Sequence, residues 1–106
     1  MTDSRQRLKG MLGFAMRAGK LIIGTELVCQ ALSSRKPPFI VAVCNTASDG
    51  TKKKISTKCE FYGIKMVQIN MSTEELGALL GKTYTPAVLG VMDSGFAKEI
   101  EKQAIG

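Results

Sequence analysis

The sequence predicts a single α/β domain, with a central sheet sandwiched between helices. Three observations carry this. Short apolar runs of strand length alternate along the chain with longer stretches whose apolar residues recur at helical spacing. The connections between them are short, as they are where successive elements pack side by side. And 106 residues leave room for one hydrophobic core and little more.

Each element has its own signal. Asp3 is placed to cap a first helix, with Gln6 as its capping-box partner. Leu8, Met11, Leu12, Ala15 and Met16 fall on one face of that helix, and Gly19 is a natural stop. Leu21-Ile22-Ile23 form a short extended piece before Gly24. Thr25 is expected to cap a second helix running to about Ser34, with Leu27, Val28, Ala31 and Leu32 facing inward. Pro37-Pro38 ends it. Residues 39–44 are apolar throughout and read as a strand buried on both faces.

After a polar loop at 45–50, Asp49 is expected to cap a third helix reaching about Tyr62. Ile55, Cys59 and Tyr62 stand at i, i+4 and i+7 on its inward face, and Gly63 stops it. Residues 64–69 read as a second central strand. Ser72 and Glu75 form a capping box for a fourth helix with the stripe Leu76, Leu79, Leu80. Residues 81–86 make a loop, residues 87–92 a third strand, and Asp93 caps a last helix carrying Phe96, Ala97 and Ile100. There is no internal repeat, linker or low-complexity segment.

Composition bounds the chemistry. The chain has no histidine, so no Ser-His-Asp or Cys-His nucleophile and no His-ligated metal site can be built. Cys29, Cys44 and Cys59 are odd in number, make no C-x-x-C pair and lie in apolar or amphipathic runs. They read as buried, reduced thiols of a cytosolic protein. The first seven residues lack a signal-peptide core, and the longest apolar run, residues 37–44, is too short to span a membrane. The expectation is a cytoplasmic protein with no membrane partner, metal or cofactor.

The formal net charge of +6 is unevenly distributed. Up to Lys58 there are 11 bases and 3 acids, a balance of +8; beyond it there are 4 bases and 6 acids, a balance of −2. A one-sided basic surface draws polyanions through counterion release and long-range steering. The run Lys52-Lys53-Lys54 lies in the first turns of the third helix, where cations oppose the helix dipole, a placement a polyanion would repay. Gly24-Thr25-Glu26 marks a strand-to-helix junction whose backbone N–H groups are suited to phosphate or base edges. Asn45-Thr46 follows the most apolar strand, where open α/β sheets tend to hold their sites. Gly77 to Thr83 imitates a phosphate-binding loop but fails, with three residues between the glycines where the motif needs four, and a helical stripe where it needs a strand.

The segment order, with Ala-Gly-Lys-Leu-Ile-Ile-Gly at 18–24, Lys-Cys-Glu-Phe-Tyr-Gly at 58–63, Glu-Leu-Gly-Ala-Leu-Leu-Gly-Lys at 75–82 and Asp-Ser-Gly-Phe-Ala at 93–97, resembles the ribosomal L-seven-Ae and L-thirty-e superfamily, and more narrowly its bacterial YlxQ-type branch. The resemblance runs from about Arg7 to Ile100. It implies a three-layer α-β-α sandwich around a four-stranded mixed sheet, and binding to RNA, kink-turns above all. In that family a helix start reads tandem sheared G·A pairs through Gly, a small residue, Asn, Glu, two spacers and Lys. Gly24 and Thr25 match this pattern; Glu26, Leu27 and Gln30 stand in place of the Asn, Glu and Lys. Asn45-Thr46 replaces an acidic pair, and the loop that packs on an extruded nucleotide maps onto Thr83-Tyr84-Thr85-Pro86, followed by Ala87. Tyr84 is suited to stacking on an unpaired base.

The expectation is therefore a non-catalytic, monomeric protein that binds structured RNA, ribosomal RNA among the candidates, through residues 24–30 and loops 45–46 and 83–87. Lys20 is expected to meet phosphate, and Lys20, Arg35 and Lys36 to bracket the helix at its two ends. The alternative is a protein-interaction module of the same fold that has lost kink-turn recognition. A third reading is an enzyme or an enzyme's substrate-recognition piece, against which stand the lack of room for a catalytic domain and the lack of histidine.

Overall fold

The structure is a computed structural model, and it describes residues 4–104. The expected cap at Asp3 lies outside these residues. Helix α1 spans Ser4–Arg17, strand β1 Leu21–Ile23, helix α2 Thr25–Leu32 and strand β2 Ile40–Cys44. Helix α3 spans Asp49–Tyr62, strand β3 Lys65–Ile69, helix α4 Thr73–Leu79, strand β4 Val88–Val91 and helix α5 Ser94–Lys102.

The sheet order is β1-β4-β2-β3. β4 runs antiparallel to both β1 and β2, while β2 and β3 are parallel, so the sheet is mixed. β2 and β4 are central and wholly buried. Residues 64–69, expected to form a central strand, hold the edge strand β3 instead, which among the described residues pairs only with β2. The polar Lys65 and Gln68 fit a strand with one side toward water.

Helices cover both faces. Leu8 and Leu12 of α1, Leu76 and Leu80 around α4, and Ile100 of α5 pack on Ala42, Val67 and Leu89. Val28 and Leu32 of α2 and Ile55 and Cys59 of α3 pack on Val41, Val43 and Val88 on the other face. This is the three-layer sandwich, and each layer is stabilised by burial of apolar area, roughly 25 cal/mol per Å².

Several helix ends follow their sequence signals. Ser72 and Glu75 form a reciprocal capping box, and the Asp93 carboxylate accepts the Phe96 N–H at 3.0 Å. Gly19 and Gly63 take left-handed φ of 70° and 69° at the ends of α1 and α3, a conformation that favours glycine. Others differ. Ser48, not Asp49, caps α3, accepting the Thr51 N–H. α2 ends at Leu32 rather than Ser34, where the Ser33 and Ser34 hydroxyls donate to the carbonyls of Gln30 and Ala31. Tyr62, expected to face inward, is 40% exposed because it forms the last turn of α3.

Candidate nucleic-acid interface

Strand register sets the site. β1, β2 and β3 end, and β4 begins, at one end of the sheet. There the Gly24 N–H donates to the Val88 carbonyl, the Cys44 N–H to the Ala87 carbonyl, and the Asn45 N–H to the Ile69 carbonyl, at 2.9–3.0 Å. Gly24, Ala87 and Asn45 thus stand just beyond the ends of the adjacent strands β1, β4 and β2. Since α2, α3 and α4 each follow one of these strands, their three N-termini open at this end.

Gly24, not Thr25, is the cap of α2. Its φ of 111° is a conformation that L side chains rarely adopt, and it supplies no side-chain acceptor. The Thr25, Glu26 and Leu27 N–H groups belong to the first turn, which has no carbonyls of its own to meet, and they carry the positive end of the dipole. The expected inward position of Leu27 is corrected: the residue is 54% exposed. Val28, Ala31 and Leu32 supply the buried face at i, i+3 and i+4, and one residue back from Val28 is about 100° around the helix. Gln30 is exposed as well.

The lysine run at the start of α3 comes against this helix start. Lys54 pairs with Glu26 at 3.6 Å, both side chains well exposed. Lys52 Nζ donates to the Asn45 carbonyl at 2.7 Å. Lys53 is exposed and makes no ion pair among the described residues. The sequence alone does not join these lysines to residues 24–30. Their opposition to the helix dipole was the signal that could have placed them there.

Loop 45–46 is tied to the turn before α4. Asn45 Nδ2 donates to Asn70 Oδ1 at 3.0 Å, and Thr46 Oγ1 accepts the Thr73 N–H at 3.1 Å. On the other side, Tyr84 is 51% exposed and Thr85 is exposed. Pro86 is buried, so it anchors the loop rather than facing outward. Its carbonyl accepts weakly from Cys44 Sγ at 3.9 Å. Burial, with lesser contributions from Glu74 and Glu75, pushes the Cys44 thiol up to about 11, so it stays protonated at neutral pH.

Lys20 is not part of this cluster. Its carbonyl accepts the Met92 N–H at 2.8 Å, at the far end of β1. That is four residues from Gly24, roughly 13 Å of extended chain. Arg35 and Lys36 follow the C-terminus of α2, and Lys36 lines a pocket with Met92, whose N–H meets the Lys20 carbonyl, so the three bases do not bracket the helix but lie toward one end of the sheet.

Between the edge of β1, α2 and Tyr84 lies an open groove of about 570 Å³. Leu27 and Gln30 form its α2 wall, and Lys82 stands beside Tyr84.

Comparison with known proteins assigns this architecture. Residues 6–101 match the Ribosomal protein L7Ae/L30e/S12e/Gadd45 family. RNA-binding protein YlxQ of Enterococcus faecium is 38% identical over 99 residues, covering 93% of this chain and 92% of that protein. Large ribosomal subunit protein eL30 of Sulfolobus acidocaldarius is 33% identical over 96 residues, 91% of each chain. Among solved structures, a Bacillus halodurans protein of unknown function superposes with a TM-score of 0.80 at 31% identity, over 93% of this chain and 96% of that one. The Giardia lamblia 15.5kD RNA binding protein gives 0.73 at 14% identity, over 97% and 86%, a likeness of fold. The chain belongs to the Ribosomal protein L7Ae/L30e/S12e/Gadd45 family and, within it, to the YlxQ-type branch.

Proposed function

We propose that this chain is a non-catalytic, ribosomal-protein-like RNA-binding protein. It works as a cytoplasmic monomer without a cofactor and recognises structured RNA at the end of the sheet where Gly24, Asn45 and Ala87 meet. One observation carries the reading: the uncapped start of α2, the lysine-rich start of α3 and the exposed Tyr84 open on the same end. The names of its relatives, an RNA-binding YlxQ and a ribosomal eL30, support it.

The Thr25, Glu26 and Leu27 amides and the Thr25 hydroxyl position the RNA backbone. Glu26, Gln30 and Asn45 meet base edges, Lys53 and Lys54 meet phosphates, and Thr46 and Thr85 flank the contact. Tyr84 stacks on an unpaired base. Lys20, at the far end of β1, reaches only an RNA that runs along that strand. Kink-turns are the finer form of the proposal, with ribosomal RNA as the source. Gly24 and Thr25 keep the helix start that reads sheared G·A pairs, while Glu26 offers the acceptor that Leu27 lacks.

The test is a titration of the protein with a kink-turn RNA and with an uninterrupted duplex of equal length, at four salt concentrations. The logarithm of the association constant should fall linearly with the logarithm of salt, with a slope set by the phosphates neutralised. A flat salt response overturns RNA binding. Equal affinity for both RNAs overturns the kink-turn form alone.

A further inference from the structure

β1 is an edge strand that, among the described residues, pairs only with β4. Its ladder is bounded by the bond from the Met92 N–H to the Lys20 carbonyl at 2.8 Å and the bond from the Gly24 N–H to the Val88 carbonyl at 2.9 Å. Hydrogen-bonded pairs alternate along an antiparallel ladder, so Ile22 turns its backbone to Gly90. Leu21 and Ile23 therefore turn their N–H and C=O groups away from the sheet. Both residues line the 570 Å³ groove against α2. Two donors and two acceptors, spaced as in an extended chain, face an open cleft with an apolar wall of Leu27 and Ala31.

We infer that this edge takes up an extended, acidic peptide segment of a partner protein as a fifth strand, a function beyond RNA binding. Main-chain bonds to Leu21 and Ile23 hold the segment, as in other cases of strand addition. The side chain opposite Ile22 points to the α2 face, where Ile22 itself packs, and lies over Leu27 and Ala31.

Charge selects the occupant. Among the described residues no acidic side chain lines the groove and Lys82 does; of the charged residues that adjoin its lining in sequence, Lys20 and Arg35 beside Leu21 and Ser34 outnumber Glu26 beside Leu27. A second copy of this chain, at net charge +6, would bring these bases against their own images. RNA meets the Gly24 end of this groove through side chains and helix amides, whereas the alternating outward donors and acceptors of Leu21 and Ile23 match the main chain of a peptide.

The test uses the full chain and a synthetic pool of octapeptides with Glu at both ends and Val, Ile, Thr or Leu randomised within. The readout is amide hydrogen exchange at Leu21 and Ile23 by NMR. The Glu-ended pool should slow both amides at least tenfold. A Lys-ended pool and a pool N-methylated at alternate residues should slow neither. Ile23→Pro, which removes one outward donor, should abolish the effect; Lys82→Glu, which leaves the edge intact, should weaken binding at least threefold. No slowing with the Glu-ended pool overturns the inference, as does equal slowing by the Lys-ended or N-methylated pools. Protection that appears with protein concentration alone assigns the edge to a second copy, and protection by oligouridylate in place of the peptides assigns it to RNA; either result overturns the inference.

Discussion

The carbonyl oxygen of Tyr84 lies 2.8 Å from the point that a Cβ on Gly77 would occupy. Pro86 Cδ is 3.3 Å from the same point. The loop that presents Tyr84 is thus seated directly on α4, in space that exists only because residue 77 has no side chain. The Lys82 N–H, donating to the Gly77 carbonyl at 2.9 Å, fastens the loop from the other side.

Replacing Gly77 tests this seating. In an open helix position Gly→Ala stabilises by up to about 1 kcal/mol. Here the atom in the way is backbone, which cannot swing aside, and overpacking costs about 1–3 kcal/mol. Gly77→Ala should therefore be net destabilising by about 1 kcal/mol and should weaken RNA binding by displacing Tyr84. Gly13→Ala in α1, with nothing within 4 Å of its Cβ, is the contrast and should stabilise. Urea denaturation of both variants decides it: equal stabilisation would show that the loop is not held by α4.

Glu26, Leu27 and Gln30 are all exposed, so α2 can be rewritten without touching its buried face of Val28, Ala31 and Leu32. The combined change Glu26→Asn, Leu27→Glu, Gln30→Lys restores the family pattern. Each recovered hydrogen bond to a charged group is worth about 1.5–3 kcal/mol. Affinity for a kink-turn RNA should rise at least tenfold over the unaltered chain, while affinity for a plain duplex stays level. A ratio that does not move would place the RNA-reading surface elsewhere.

The parts of this structure legible in the sequence are those that local chemistry decides. Ser72 with Glu75, Asp93, Gly19 and Gly63 act within one helical turn, and the apolar run at 39–44 is a central strand for the reason its composition implies. Leu27 looks inward in the sequence because an apolar residue beside Val28 widens the apparent stripe, and nothing local says that an eight-residue helix needs only three buried positions. Gly24 is legible as a junction but not as the cap, because the Thr25 beside it carries a side-chain acceptor and competes for that position. Sheet order escaped altogether. It is what turns residues 65–69 into an edge and brings the α3 lysines to Glu26, whereas Lys20 stands apart because the length of β1 separates it from Gly24.

Those lysines divide by role. Lys52 is fastened to the Asn45 carbonyl, and Lys53 reaches into solvent. Lys53→Ala should leave stability within about 0.5 kcal/mol and lower the salt slope of RNA binding by about 1. Lys52→Met should instead cost stability, about 1 kcal/mol for the lost bond, and loosen loop 45–46. Thermal melts and salt titrations of the two variants separate the roles; identical profiles would mean that the bond to Asn45 does not order the loop.

Burial raises both Cys44 and Cys59 from 9.0 to about 11, and proximity to Cys29 adds to the shift at Cys59. Each folded-state value exceeds the unfolded one, so the native chain holds more protons between them. By linkage their contribution to stability is complete below pH of about 9 and is lost as pH climbs through about 11. Melting temperature should therefore drop across that window. The drop should be shallower in the double variant Cys44→Ala, Cys59→Ala, even though its cavities lower stability at every pH. Every other contribution is common to both proteins and cancels in the comparison. At pH 8 the half-buried Cys29 should react with a thiol reagent first, with Cys44 and Cys59 reacting only at the rate of unfolding. Parallel pH profiles for the two proteins would mean that the buried thiols ionise as they do in water, and that the sheet end beneath Pro86 is open to solvent.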